Sequence, residues 1–264
     1  MQTTRGVPTS AVYGFSTLVL KLLREETPTG LAFARDAPAA TFRHVEYSDY
    51  KGTRAPLPSP LTAQFVWLDR LLDALGLPCF SVPGFEADDV LATLARELRE
   101  QGERVRVVTG DRDLFQTISP ESDVLFVGRR AQKPIIYDEA AVLERFGLPP
   151  ARLPSWIALN GDPSDNLPGV PGVGARTASR LAQQHADMHD LLDHLDTVQP
   201  ERLREALRAA SSQLLQNERL ARLDARVPLP EGPRFGLPDR AALEKVRALF
   251  EELEFKSLIG RLPA

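Results

Sequence analysis

A single cysteine, Cys79, excludes an internal disulfide framework and a cysteine-based zinc centre. It lies in the apolar run Leu77-Pro78-Cys79-Phe80, where burial and chemical inertness are expected. Histidine is nearly as scarce. His44, His185, His189 and His194 form no triad and no ligand spacing, and the last three read as helix-surface residues. No apolar run approaches the roughly 20 residues of a membrane span, and no signal peptide is visible. The expectation is a soluble intracellular protein. Charge of one sign is also missing. With 32 basic and 36 acidic residues the net charge is −4, so no global basic field announces nucleic acid, which leaves local clusters to carry any such signal. No internal repeat or low-complexity tract occurs. At 264 residues and 43% hydrophobic content, the chain suits one large or two ordinary domains with a real core.

Carboxylates are what the chain has. Glu86, Asp88 and Asp89 fall within four residues, just ahead of the helical apolar stripe Val90, Leu91, Leu94 and Leu98. Acids at a helix N-terminus complement its dipole, and that accounts for one or two of them. Three together repel one another, and a divalent cation relieves that cost. Short apolar segments at 30–35, 77–82, 104–108 and 123–127 read as strands alternating with helices, which argues for a mainly parallel central sheet flanked by helices. Asp36 ends one strand, the 86–89 acids follow another, and Asp111 and Asp113 end a third. Strand ends on the C-terminal side of such a sheet line its functional crevice. Asp162 and Asp165, from a region of helices only, can complete the rim. Each acid alone is an ordinary turn former or cap. As a set they suit Mg²⁺ or Mn²⁺, because an oxygen-only site prefers hard ions. Two such ions about 4 Å apart are a recurring device for phosphodiester hydrolysis.

Two further features point to nucleic acid. Gly169-Val170-Pro171-Gly172-Val173-Gly174 opens directly into a helix carrying Arg176 and Thr177. Glycine turns and a free helix N-terminus suit a phosphate backbone, although a plain helix–helix turn also uses Gly and Pro. Pro168 and the helical neighbourhood argue against a dinucleotide fingerprint. Between 37 and 60, Arg43, Lys51 and Arg54 alternate with Phe42, Tyr47 and Tyr50 in a stretch expected to be exposed and partly mobile. Cations with aromatics suit single strands, and a solvated loop is the competing reading. Asp111-Arg112-Asp113 as an aspartyl-phosphate motif is rejected, since that motif follows the first strand of its domain.

These motifs resemble those of the 5′ nuclease (flap endonuclease) family, most closely the 5′–3′ exonuclease domain attached to bacterial DNA polymerase I. The resemblance is carried by Ala11-Val12-Tyr13-Gly14-Phe15, by Thr41-Phe42-Arg43 with Tyr50-Lys51 and Arg54, by Gly84-Phe85-Glu86-Ala87-Asp88-Asp89, by Thr109-Gly110-Asp111-Arg112-Asp113-Leu114, and by Gly161 to Gly174. It implies a PIN-like α/β nuclease core over 1–147, with an arch region at about 42–60. It also implies a helical DNA-binding region over 148–264, with a helix–hairpin–helix at about 153–185. Asp36, Glu86, Asp88, Asp89, Asp111, Asp113, Asp162 and Asp165 fall on the family's carboxylates for two Mg²⁺ or Mn²⁺ ions. Lys51 and Arg54 fall at the base of the arch and join the catalytic set. Arg43, Tyr50, Lys51, Arg54, Gly169, Val170, Gly172, Gly174, Arg176 and Thr177 are the implied DNA contacts, with K⁺ at the hairpin. The implied partners are DNA flaps, nicks and 5′ ends, with RNA primers among the substrates, for a monomer in the bacterial cytoplasm or nucleoid. The family's first strand, ending in a metal-binding Asp-Gly, has no counterpart in the sequence. Either the true start lies upstream of Met1 or the protein is a weakly catalytic binder of DNA junctions. The presence of the other eight acids favours the first account. Free-standing nuclease and excised polymerase domain both fit.

Overall fold

The structure is a computed structural model that describes residues 1–128, 133–231 and 235–263. Residues 232–234 and 264, inside the expected helical region, lie outside the described residues. In chain order the elements are α1 (Ser10–Lys21), β1 (Phe33–Ala34), α2 (Phe42–Glu46), α3 (Ser59–Thr62), α4 (Phe65–Leu75), β2 (Cys79–Phe80), α5 (Ala87–Glu100), β3 (Val105–Thr109), β4 (Ser122–Phe126), β5 (Ile135–Tyr137), α6 (Glu139–Phe146), α7 (Leu153–Asn160), α8 (Ala175–Gln184), α9 (Met188–Asp193), α10 (Glu201–Ala209), α11 (Ser211–Ala221), α12 (Arg240–Glu252) and α13 (Lys256–Ile259). A π-helical turn, Leu22–Glu26, extends α1. Among the described residues no helix is long and apolar enough to cross a membrane.

The chain divides into two compact units. The first joins Met1–Arg35, Ala55–Phe80 and Pro230–Ala264. Its core is built from Val12, Val19 and Leu20 of α1, Leu71 and Leu75 of α4, and Val246, Leu249 and Phe250 of α12, all buried. The spacing of these residues at three and four positions is the helical stripe that the sequence displays. β1 and β2 pair in parallel, Phe33 opposite Cys79 and Ala34 opposite Phe80. Cys79 is half-buried rather than buried, and burial pushes its thiol up, away from the reactive thiolate.

The second unit joins Asp36–Arg54 and Ser81–Leu229. Here β3 pairs in parallel with β4 over five residues, Val105 opposite Ser122 through Thr109 opposite Phe126. β5 adds an antiparallel edge, Val124 opposite Tyr137, which the sequence reading did not anticipate. Helices cover this small mixed sheet, and Leu114, Phe115, Val142, Leu148, Ala158, Leu159, Ala178 and Leu181 fill one continuous core. Local chemistry sets the helix limits. The Asp138 side chain accepts from Ala141 N to start α6, and Gly147, at φ 73°, ends it in the left-handed region. Two successive helices, α10 and α11, meet at Ala210.

Residues 37–60, expected to be loose, contain α2 and two deeply buried side chains, Arg43 at 1% and Tyr50 at 3% exposure. The reason is the set of partners they meet in the second unit.

Candidate metal centre

The N-terminus of α5 is fixed by a reciprocal cap. The Glu86 side chain accepts from the third-residue backbone, and Asp89 Oδ2 accepts from Glu86 N at 3.1 Å. Asp89 is fully buried. Its Oδ2 also accepts from Arg43 Nη1 at 2.6 Å, and its Oδ1 accepts from Arg43 Nη2 at 2.8 Å and Asp224 N at 2.9 Å. A carboxylate has about four acceptor positions, and all four are filled. Two further donors of Arg43 go to backbone carbonyls, Leu220 O at 2.7 Å and Arg222 O at 3.2 Å, and its Nη1 also lies 3.5 Å from Glu86 Oε2. Burial works against the guanidinium charge, but the Asp89 hydrogen bonds and charge more than offset it and raise the Arg43 pKa. Two sequence expectations are corrected here. Asp89 has no oxygen left for an ion, and Arg43 is walled away from DNA. A buried bidentate pair that ties α2 to α5 and to the chain beyond α11 is a structural device.

One residue earlier, Asp88 is rotated about 100° around the helix. Burial, then the Asp111 and Glu86 charges, push it up to about 7, with Lys51 opposing and Asp36 adding to the rise. Asp113 lies well above the ordinary carboxyl range for the same reason. Burial leads, and the charges of Asp111, Asp165, Asp162 and Asp88 follow. Asp36, Glu86, Asp88, Asp111, Asp113, Asp162 and Asp165 therefore share one electrostatic neighbourhood, although they come from four separate stretches of chain. Backbone bonds hold several of them in place. Ala87 N donates to Asp36 Oδ1 at 2.8 Å, Asp113 N donates to Asp111 Oδ1 at 3.0 Å, and Ser164 N and Oγ both donate to Asp162 Oδ1 at 2.7 Å.

Basic and phenolic groups border this set. Lys51 Nζ lies 2.6 Å from Glu86 Oε1, and Arg54 Nη2 lies 2.7 Å from Asp165 Oδ1. Between them the Tyr50 hydroxyl stands 2.6 Å from Asp165 Oδ2 and 3.2 Å from Glu86 Oε2. Burial and those two carboxylates raise the Tyr50 pKa, so the hydroxyl stays protonated and donating. Tyr50 was expected to stack on DNA. Its ring is buried and its hydroxyl bridges two acids instead. Nothing in the sequence could have revealed this, since the partners lie 36 and 115 positions away. The segment is strapped to the 161–167 loop by Lys51 N to Asp165 O at 3.1 Å, Asn166 Nδ2 to Asp49 O at 2.8 Å and Arg54 Nε to Ser164 O at 3.0 Å. Lys51 adopts a left-handed φ of 56° to make that crossing.

The glycine hairpin is a backbone device. A Cβ on Gly161 would collide with Gly169 N, and one on Gly169 with Asn160 O, so neither position admits a side chain. Asp162 and Leu167 exchange backbone bonds at 2.9 and 2.8 Å, and Asn217 Nδ2 of α11 secures Pro168 O at 2.8 Å. Val170 was expected to touch DNA. Its side chain is buried and its N–H is spent on Leu159 O. Gly172, Gly174 and Arg176 remain exposed, and Thr177 is half-buried.

Seven oxygen donors of like charge, two of them protonated more readily than free carboxyls, form a donor set suited to hard divalent cations. Such an ion relieves the repulsion that raises Asp88 and Asp113.

The 5′-3′ exonuclease N-terminal resolvase-like domain profile matches residues 1–147, and the 5′-3′ exonuclease C-terminal SAM-fold profile matches residues 148–237. DNA polymerase I of Mycobacterium bovis is 40% identical over 264 residues, covering 99% of this chain and 29% of that protein. The thermostable DNA polymerase I of Thermus thermophilus is 41% identical over 259 residues, covering 98% of this chain. The chain thus spans about 30% of the length of the curated relatives it matches. In fold it is similar to the T5 5′-exonuclease solved with zinc, with TM-score 0.68, 19% identity, and 97% and 91% of the two chains covered. It is likewise similar to the catalytic core of Rad2 in complex with DNA substrate, with TM-score 0.61, 17% identity, and 99% and 87% covered. Two adjoining profiles and relatives at this identity across its whole length agree with the carboxylate set and the glycine hairpin: the chain belongs to the 5′–3′ exonuclease family.

Proposed function

We propose that this chain hydrolyses DNA phosphodiesters as a metal-dependent 5′–3′ exonuclease and 5′-flap endonuclease, cutting near the junction of single strand and duplex. The observation that carries the proposal is the grouping of seven carboxylates in which burial, and then neighbouring acids, push Asp88 up to about 7 and Asp113 well above its usual range. Perturbed acids grouped in this way mark functional sites. When bound, two Mg²⁺ or Mn²⁺ ions would supply Lewis-acid activation of the attacking water and neutralise charge developing on the phosphate. Asp36, Glu86, Asp88, Asp111, Asp113, Asp162 and Asp165 would hold them, with Asp89 serving only to fix α5. Asp88 gives up its carboxyl proton as the site takes up cations, so loading grows easier as pH rises through 7. Lys51 and Arg54, at the edge of the acid cluster, present cations to an incoming phosphodiester, and Tyr50 keeps Glu86 and Asp165 in register. Within the 148–264 region, the exposed Gly172, Gly174, Arg176 and Thr177 grip a duplex backbone, with a K⁺ ion part of the same proposal. RNA primers fall within the substrate range, because phosphate contacts do not read the sugar.

The test uses a labelled 5′-flap oligonucleotide. Cleavage should require Mg²⁺ or Mn²⁺, and Asp88→Ala should abolish it while leaving Ca²⁺-supported binding intact. Products in excess chelator, or wild-type turnover by Asp88→Ala, would overturn the proposal. Binding without any product would favour a junction-binding role.

A further inference from the structure

A second group of metal-ligating side chains lies at the junction of α8 and α9, and the nuclease reading does not use it. His185 caps the end of α8, Asp190 sits in α9 and His194 follows it. Asp190 stands between the two rings. Its Oδ2 is 3.4 Å from His185 Nδ1 and its Oδ1 is 3.0 Å from His194 Nδ1, while the ring centroids are 6.2 Å apart. One ligand atom from each residue falls within 4.8 Å of the other two. The carboxylate is held in place, because Asp190 Oδ2 accepts from Ala186 N at 2.8 Å, and the Asp187 side chain caps α9 by accepting from Asp190 N at 2.9 Å. That Ala186 bond, with the two histidines, also keeps Asp190 below the ordinary carboxyl range. The spacing His-x₄-Asp-x₃-His spans a helix end and a helix, a pattern with no familiar signature, which is why the sequence reading passed over it.

From this geometry we infer that His185, Asp190 and His194 form a divalent transition-metal site of the zinc class, which staples the end of α8 to α9. Two imidazoles and a carboxylate suit Zn²⁺ and its neighbours, whereas the oxygen-only cluster suits Mg²⁺ or Mn²⁺, so the two sites sort ions by ligand type. Three protein ligands leave the fourth position to water, and the His194 side chain, 59% exposed, opens that position to solvent. His194 Nδ1 lies 2.8 Å from the Asp190 carbonyl, and the Asp190 backbone contact and carboxylate raise its pKa. The stapled element needs the help. α9 has six residues, too few to hold a helix by propensity.

The experiment titrates chelator-stripped full chain with Zn²⁺ by calorimetry and with Co²⁺ by visible absorption. An Asp88→Asn/Asp111→Asn variant silences the carboxylate cluster. One equivalent should bind in that variant, with the intense d–d bands of a four-coordinate, imidazole-ligated Co²⁺ ion. His194→Ala, at an exposed position, and His185→Gln should each weaken it by at least the ~10–100-fold that loss of an outer-shell partner costs. Helix content should be unchanged by circular dichroism. The inference is overturned if the histidine variants titrate like the parent, or if binding disappears with the carboxylate substitutions.

Discussion

Removing the proton-binding excess at Asp88 should change how the stability of the second unit depends on pH. In chelator, the folded Asp88 carboxyl titrates at about 7 against 3.8 for the ordinary group. Between those values the folded chain holds a proton that the unfolded chain has released, so folding stability falls as pH rises and levels off above about 8. Three units at about 1.4 kcal/mol each give roughly 4 kcal/mol, of which about 3 kcal/mol falls above pH 5. Asp113 acts in the same direction. So does His194, whose raised pKa contributes stability that is lost as pH climbs through it. The decisive quantity is therefore the difference between wild type and Asp88→Asn. The chain has two tryptophans, Trp67 in the first unit and Trp156 in the second. A Trp67→Phe background makes Trp156 fluorescence a reporter of the unit that holds the acids. Unfolding free energies from urea titrations at pH 5, 6, 7 and 8 should fall in the parent, and fall by about 3 kcal/mol less in Asp88→Asn. Mg²⁺ at a hundred times its Kd should restore roughly 2.7 kcal/mol at pH 8. Identical slopes in parent and variant would refute the claim that burial and its neighbours raise the Asp88 carboxyl above its ordinary range.

Asp89→Ala should cost about 3–5 kcal/mol by denaturant unfolding, because it leaves the Arg43 guanidinium buried and unpaired, and Arg43→Met/Asp89→Leu should recover part of that loss. Gly161→Ala combines a left-handed φ of 80° with a collision against Gly169 N, so it should destabilise the second unit and abolish duplex binding in a gel-shift assay. Arg176→Ala, at an exposed site, should leave the melting curve unchanged, weaken duplex binding about equally for all sequences, and lower the slope of log affinity against log salt by about 1.

Much of this was legible in the sequence because local chemistry fixes it. Asp138 and Gly147 bracket α6, the apolar stripe of α5 runs from Val90 through Leu94, and the glycine hairpin lies where Gly161 and Gly169 demand it. Illegible parts depend on distant contacts. β5 is only three residues long and is defined by its pairing with β4. Residues 37–60 look solvated until Arg43 meets Asp89 and Tyr50 meets Asp165. Asp88 and Asp89 are the sharpest case. Adjacent and identical in type, they differ by about 100° around the helix. That rotation sends one into a repulsive cluster and the other into a saturated buried pair.

The saturation of Asp89 has a consequence for how the centre discriminates between ions of different radius. Arg43, Asp224 N and Glu86 N pin the start of α5, so that flank has no freedom to follow the size of a guest. Asp36 and Asp111 each accept one backbone hydrogen bond, from Ala87 N and Asp113 N, and both are exposed. Adjustment to a larger or smaller cation therefore falls on Asp36 and Asp111, like a vice with one stationary jaw.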